Sequence, residues 1–244
     1  MSRFLSILTL IMAAIGCAPS VCSQTNYSRL ELKADRFFDQ KEWAQASATY
    51  YQMLELKPEI PATYGKAIVA NAMRGDSDAE MALMVKALNS KVPFDSVLSR
   101  VKSTSFSLGK SNLYGDFLLR VRDAYPWMRR PVDNYLLRYY TYRRDGEKMM
   151  EYSRIMLQGA PTNRGFLMSL AQGAMLCGDY KTALGAYYDI LAEAPDDYDT
   201  LLALGNYYRL EGDMPQAIPL LTRANSIHPT PHVTAILDEF NPHK

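Results

Sequence analysis

Residues 164–197 read RGFLMSLAQGAMLCGDYKTALGAYYDILAEAPDD, and residues 198–231 read YDTLLALGNYYRLEGDMPQAIPLLTRANSIHPTP. Laid over one another, the two blocks match Gly178-Asp179 with Gly212-Asp213, Ala183 with Ala217 and Pro195 with Pro229, each pair 34 residues apart. Between these marks apolar residues recur every three or four positions. The first block has Leu167, Leu170, Ala171 and Ala174, then Ala183, Tyr187 and Ile190; the second has Leu201, Leu204, Gly205 and Tyr208, then Ala217, Leu221 and Ala224. That spacing gives a helix one buried stripe. Each block therefore predicts two helices joined by a tight turn. Gly178 and Gly212 suit the left-handed residue that ends a first helix, and the following Asp caps the second. The proline closes the second helix by removing an amide donor. Gly205 and Ala217 are small where antiparallel helices approach closely.

The proline ladder continues backwards through Pro161, Pro126, Pro93 and Pro58 at steps of 33 to 35 residues. An N-terminal unit shows Leu30, Ala34, Phe37, Ala46, Tyr50 and Met53 before Pro58. The middle is more degenerate. Gly75-Asp76 with Met84, Ala87 and Leu88 survive after Pro61, but Glu80 stands where a small residue is expected. Between Pro93 and Pro126 the pattern predicts helices over 95–102 and 112–125, joined by the Ser-rich run Ser103-Thr104-Ser105-Phe106-Ser107. The unit ending at Pro161 keeps Leu136, Leu137, Tyr140, Met149 and Met156, with its turn at Asp145-Gly146.

This period and these marks resemble the tetratricopeptide repeat, a helix-turn-helix unit of 34 residues. The resemblance implies an all-α fold: a right-handed α-solenoid of about six such repeats with a C-terminal capping helix. The divisions it suggests are a first repeat at 24–60, a degenerate second at 61–93 and an irregular helical hairpin at 94–129. A degenerate repeat at 130–163, repeats at 164–197 and 198–231, and a capping helix with tail at 232–244 complete the chain. The cap is needed because a last repeat left uncovered exposes its apolar face. Pro219 falls inside a predicted second helix, where it removes one hydrogen bond and is expected to kink the chain.

The first 23 residues read as an export signal: Arg3, then a mostly apolar run over Phe4 to Ile15, the size of a signal-peptide core and too short to span a bilayer. Two cleavage readings compete. Val21-Cys22-Ser23 suits ordinary cleavage before Gln24, whereas Ala14-Ile15-Gly16-Cys17 resembles a lipobox, which would make Cys17 a lipidated first residue. The expected location is accordingly the periplasm, or alternatively a lipid anchor in the outer membrane. No later segment approaches a transmembrane span. With 27 Lys+Arg against 26 Asp+Glu, net charge +1 and a pI near 7.7, attachment to nucleic acid or anionic lipid by bulk charge is excluded, which leaves room only for a local basic patch.

The sequence offers no catalytic constellation. His228 and His232 have the spacing of a metal pair, but Pro229 and Pro231 argue against a shared helical face. Cys177 reads as a small core residue beside a turn. Asp196, Asp197 and Asp199 read as helix caps, and no phosphate-binding glycine loop or nucleophile elbow is present. The expectation is a protein that is not an enzyme and carries neither cofactor nor metal.

What remains is recognition. Tyr135, Tyr139, Tyr140 and Tyr142 crowd a segment with Arg129, Arg130, Arg138, Arg143 and Arg144, which reads as packing between helices or as a groove for an acidic or extended partner. The resemblance places Asn134 and Arg138, Met168 and Gln172, and Leu202 and Asn206 at the inward positions of successive first helices, with Arg209 one turn on. It thereby implies a groove for a protein or peptide. Met168 and Leu202 weaken a carboxylate clamp; Gln172 and Asn206 suit the backbone of an extended segment. The alternative is a structural subunit bracing an outer-membrane or polysaccharide-handling complex.

Overall fold

The computed structural model describes residues 19–240, with side chains over 26–239; Cys17 and the apolar run of the proposed export signal lie outside the described residues. Among the described residues there are thirteen α-helices and no strand, and no helix is long and apolar enough to cross a membrane. The helices form two compact units, one ending at Val121 and the other beginning at Arg122.

The first unit contains α1 (Pro19–Asp39), α2 (Trp43–Leu56), α3 (Pro61–Ala72), α4 (Ser77–Asn89), α5 (Phe94–Ser107) and most of α6 (Ser111–Ala124). Ala34 and Ala46 are fully buried where α1 and α2 pair, so the small residues sit where close approach requires them. Tyr50 and Met53 fill the space beside them. Gly75 takes φ +72°, and the Asp76 carboxylate accepts from the Ala79 amide to start α4. Glu80, out of place in the repeat pattern, is 2% exposed, and Arg120 of α6 donates to it at 2.7 Å. Burial raises the Glu80 pKa, and the arginine opposes that shift.

The Ser-rich run differs from the sequence reading: it is the last turns of α5, not a joint. Ser103 and Ser107 satisfy their hydroxyls on the carbonyls of Arg100 and Thr104, and Ser105 is buried. The break falls instead at Gly109, φ +67°.

The second unit begins with the last residues of α6 and a short 3₁₀ turn at Pro126–Met128, followed by α7 (Arg129–Arg143), α8 (Gly146–Leu157), α9 (Arg164–Cys177), α10 (Tyr180–Glu193), α11 (Tyr198–Leu210), α12 (Met214–Ile227) and α13 (Pro231–Phe240). Gly178 and Gly212 have φ +74° and +80°, and Asp179 and Asp213 accept from the amides of Thr182 and Gln216, as the repeat alignment requires. Asn163 and Asp197 cap α9 and α11 in the same way. Leu167, Ala171, Ala186, Tyr187, Ile190 and Leu204 form one core cluster across α9, α10 and α11. Val233 and Ile236 of α13 close over Leu221 of α12, covering the final apolar face.

Several local expectations are corrected. At the turn after α7 it is Arg144 that adopts the left-handed conformation, φ 53°, while Gly146 lies inside α8. Gly146 is small for a different reason: a Cβ there would come within 2.7 Å of the Gly173 carbonyl oxygen. Cys177 is exposed at the end of α9 instead of lying in the core. Pro219 lies inside α12, which runs unbroken from Met214 to Ile227, on its exposed side.

Candidate functional site

The second unit carries a cleft of about 450 Å³ at the C-terminal ends of α7, α9 and α11. Thr141 and Arg144 form one edge. Gln172, Met175 and Leu176 of α9 form the floor with Met149 and Tyr187, and Ala203, Asn206, Tyr207 and Leu210 of α11 form the other edge. The repeat period explains this composition. Gln172 and Asn206 are one repeat apart, as are Leu176 and Leu210, so equivalent side chains enter from successive first helices.

Close helix contact shapes the floor. Gly173 faces Gly146 across the α8–α9 crossing, where a Cβ would stand 2.8 Å from Met149 Cβ and 2.9 Å from the Gly146 carbonyl oxygen. The two glycines bring α8 against α9 and set Met149 beside Met175 and Leu176 at the cleft.

The surface is apolar and unusually open to solvent. Leu176 is 44% exposed and Leu210 76% exposed. Tyr180 packs against Tyr207 at 5.5 Å between ring centroids, and Tyr207 packs edge-on against Tyr208 at 5.3 Å. The Tyr208 and Tyr188 hydroxyls share a 2.8 Å hydrogen bond, which pushes the Tyr208 pKa up to about 12; desolvation raises that of Tyr207. The Tyr207 and Tyr208 phenols therefore stay neutral at physiological pH. Arg144 is the one charged residue among the residues lining the cleft.

Polar capacity is left over at this place. Asn206 Oδ1 is buried with no hydrogen-bond partner, and one turn later Arg209 Nε is in the same state. A buried acceptor without a donor costs about 1–3 kcal/mol.

Of the groove residues anticipated from the repeat register, Gln172 and Asn206 line the cleft. Asn134, Arg138, Met168, Leu202 and Arg209 do not. Met168 packs on the cluster around Leu167, and Leu202 packs on the cluster of Leu221, Val233 and Ile236. Arg138 is exposed on α7. The sequence reading did not single out Met175, Leu176, Tyr207 and Leu210 for binding. Their signal was the 34-residue offset between Leu176 and Leu210, beside the turns where coverage by a neighbour ends.

The tyrosine-rich segment divides. Tyr139 is buried and Tyr140 stacks on Tyr152 at 5.5 Å, whereas Tyr142 is 64% exposed. His228 ends α12 against the Tyr198 ring and His232 lies in α13; among the described residues no group of His, Cys, Asp and Glu could hold a metal.

No protein-family model matches the sequence, and neither does any curated protein. Solved structures do resemble the fold. A point mutant of MamA superposes with a TM-score of 0.50 at 15% identity, covering 72% of this chain and 97% of that one. PilF from Pseudomonas aeruginosa gives 0.46 at 15% identity over 91% and 99% of the two chains. A tetratricopeptide repeat protein from Parabacteroides merdae gives 0.48 at 12% identity over 89% and 87%. Identities this low speak for the fold alone. Period, capped Gly-Asp turns and paired helices agree with that likeness, and the chain has the fold of a tetratricopeptide-repeat α-solenoid.

Proposed function

We propose that this protein is a noncatalytic interaction module that holds an extended segment of another protein in the cleft of its second unit. The observation that carries the reading is the exposed apolar pair Leu176 and Leu210 in a cleft that the polar residues Gln172 and Asn206 also line. An apolar side chain of the segment would lie among Met175, Leu176, Tyr207 and Leu210, burying their exposed area. The Gln172 and Asn206 amides would bond its backbone, as extended peptides are commonly held. Arg144 at the edge favours an acidic group nearby.

Export is part of the proposal. Arg3 and the apolar run to Ile15 support an envelope location, with a soluble periplasmic form or a Cys17 lipid anchor as the two products. The partner is then an envelope protein or a peptide derived from one.

The test places a photo-crosslinking amino acid at Leu210 and, separately, at exposed Leu32 of α1 and Glu239 of α13, in the producing cells. Crosslinks at Leu210 to a defined segment, lost on Gln172→Ala/Asn206→Ala, support the cleft. Crosslinks confined to α1 and α13 would instead favour the bracing role. Mass spectrometry of the purified N-terminus separates cleavage before Gln24 from lipidation at Cys17.

A further inference from the structure

The outward face of α1 is left unexplained by the cleft. An α-helix turns about 100° per residue, so Arg29, Lys33 and Arg36 fall within about 60° of one another. Ala34, Phe38 and Tyr27, all buried, lie on the opposite side against the rest of the first unit. The basic line therefore points away from the core. Leu32, 76% exposed, flanks it on one side; half-buried Phe37 flanks it on the other, with the Lys33 ammonium 5.7 Å above its ring. Leu32, Lys33, Arg36 and Phe37 border a cleft of about 430 Å³.

The acids of α1 are sorted onto another line. Glu31, Asp35 and Asp39 follow one another at four-residue intervals, turned about 90° or more from the centre of the basic line. Asp35 is held by Lys66 at 2.7 Å and accepts from the Tyr50 hydroxyl at 2.9 Å, so it belongs to the packing of α1 against α2 and α3. Among the described residues no ion pair engages Arg29, Lys33 or Arg36. A chain with net charge of only +1 thus concentrates three cations outside any ion pair among the described residues, beside two apolar side chains on one helix face.

From this charge pattern we infer that the outward face of α1 seats the first unit on an anionic membrane surface. Lys33 and Arg36 would meet lipid phosphates, their methylene stems lying along the interface, while Leu32 and Phe37 enter the acyl boundary. Each basic residue near an anionic surface strengthens attachment severalfold, and the contribution weakens as salt rises. Two apolar side chains alone hold a membrane weakly, so the anionic lipid is required and not merely preferred. The inference does not depend on the partner cleft of the second unit. It places α1 at the bilayer whether or not Cys17 bears a lipid, because the contact arises from the helix face.

The test uses the full protein in the N-terminal form that the producing cells make. Partitioning is measured onto vesicles of phosphatidylcholine and onto vesicles of equal parts phosphatidylcholine and phosphatidylglycerol, at low and high salt. The expected result is binding that depends on phosphatidylglycerol and falls with salt. Lys33→Glu/Arg36→Glu should reduce it by about tenfold or more, and Leu32→Ser by a few-fold, with unchanged circular dichroism. Lys110→Glu/Lys181→Glu, an equal charge change at exposed sites elsewhere, should leave most of it intact. Equal binding to both vesicle types would overturn the inference, as would equal losses in the two charge variants. If the α1 variant altered self-association on gel filtration without altering vesicle binding, the face would belong to a second copy of the chain and the inference would fail.

Discussion

Replacing Gly173 by Ala tests whether the α8–α9 crossing is set by backbone contact. The new methyl carbon would lie 2.8 Å from Met149 Cβ, 2.9 Å from the Gly146 carbonyl oxygen and 3.2 Å from the Met150 amide nitrogen, against ordinary contacts of 3.4–4 Å. Two of these three neighbours are backbone, so a rotamer change cannot relieve the clash. The helices must part by roughly half an ångström, and close-packed interiors resist such a shift. Overpacking of this kind costs about 1–3 kcal/mol. Against it stands the gain in helix propensity on leaving glycine, about 0.5–1 kcal/mol. The net expectation is a loss of about 1–2 kcal/mol. Gly185→Ala supplies the control, since Gly185 lies within α10 with nothing inside 4 Å of an added Cβ; it should gain about 0.5–1 kcal/mol from propensity alone. Urea denaturation followed by circular dichroism reads both. A Gly173→Ala protein as stable as Gly185→Ala would refute the claim that this glycine is there for contact.

Three further outcomes follow from the same structure. Asp179→Ala removes the acceptor for the Thr182 amide at the start of α10 and should lower the midpoint of thermal or urea unfolding, whereas Asp179→Asn should retain most of the native value. The hydrogen bond from Arg164 holds the Asp197 carboxyl below its usual pKa, so its stabilisation is present above the unfolded-state value and lost as pH falls through the folded one. Unfolding measured from neutral to acid pH should show a shallower decline for Arg164→Met than for the native protein. Leu210→Ser removes an exposed apolar side chain and should leave stability within about 0.5 kcal/mol while weakening capture of the partner segment several-fold, read by fluorescence anisotropy of that segment.

The helical hairpins were legible because their instructions are local. Gly178-Asp179 and Gly212-Asp213 each combine a left-handed residue with an acceptor three positions before the amide it caps, and nothing distant is needed to read them. Arg144 was less legible: the turn was placed at Asp145-Gly146, but the left-handed residue is Arg144, and Gly146 is small because of its contact with α9. The Ser-rich end of α5 misled for a related reason. Serines favour turns in isolation, yet here the Ser103 and Ser107 hydroxyls close on the preceding helical carbonyls.

The candidate site was half legible. Gln172 and Asn206 could be placed by register, since one repeat carries a side chain to the equivalent position on the next first helix. Leu176 and Leu210 share that offset, but an apolar residue on a helix reads as core until its neighbours are known. Burial depends on which surfaces pack over a residue, and at the ends of α9 and α11 Leu176 and Leu210 are only partly covered.

By itself the amino-acid sequence determined the repeat, its period, the capped turns and the need for a final covering helix, because these rest on spacing and on the conformational range of single residues. Tertiary structure alone decided that Gly146 meets Gly173, that Glu80 is buried against Arg120, and that five helices open a cleft with an unsatisfied Asn206 oxygen. Those features are distances between atoms far apart along the chain, and only packing sets them.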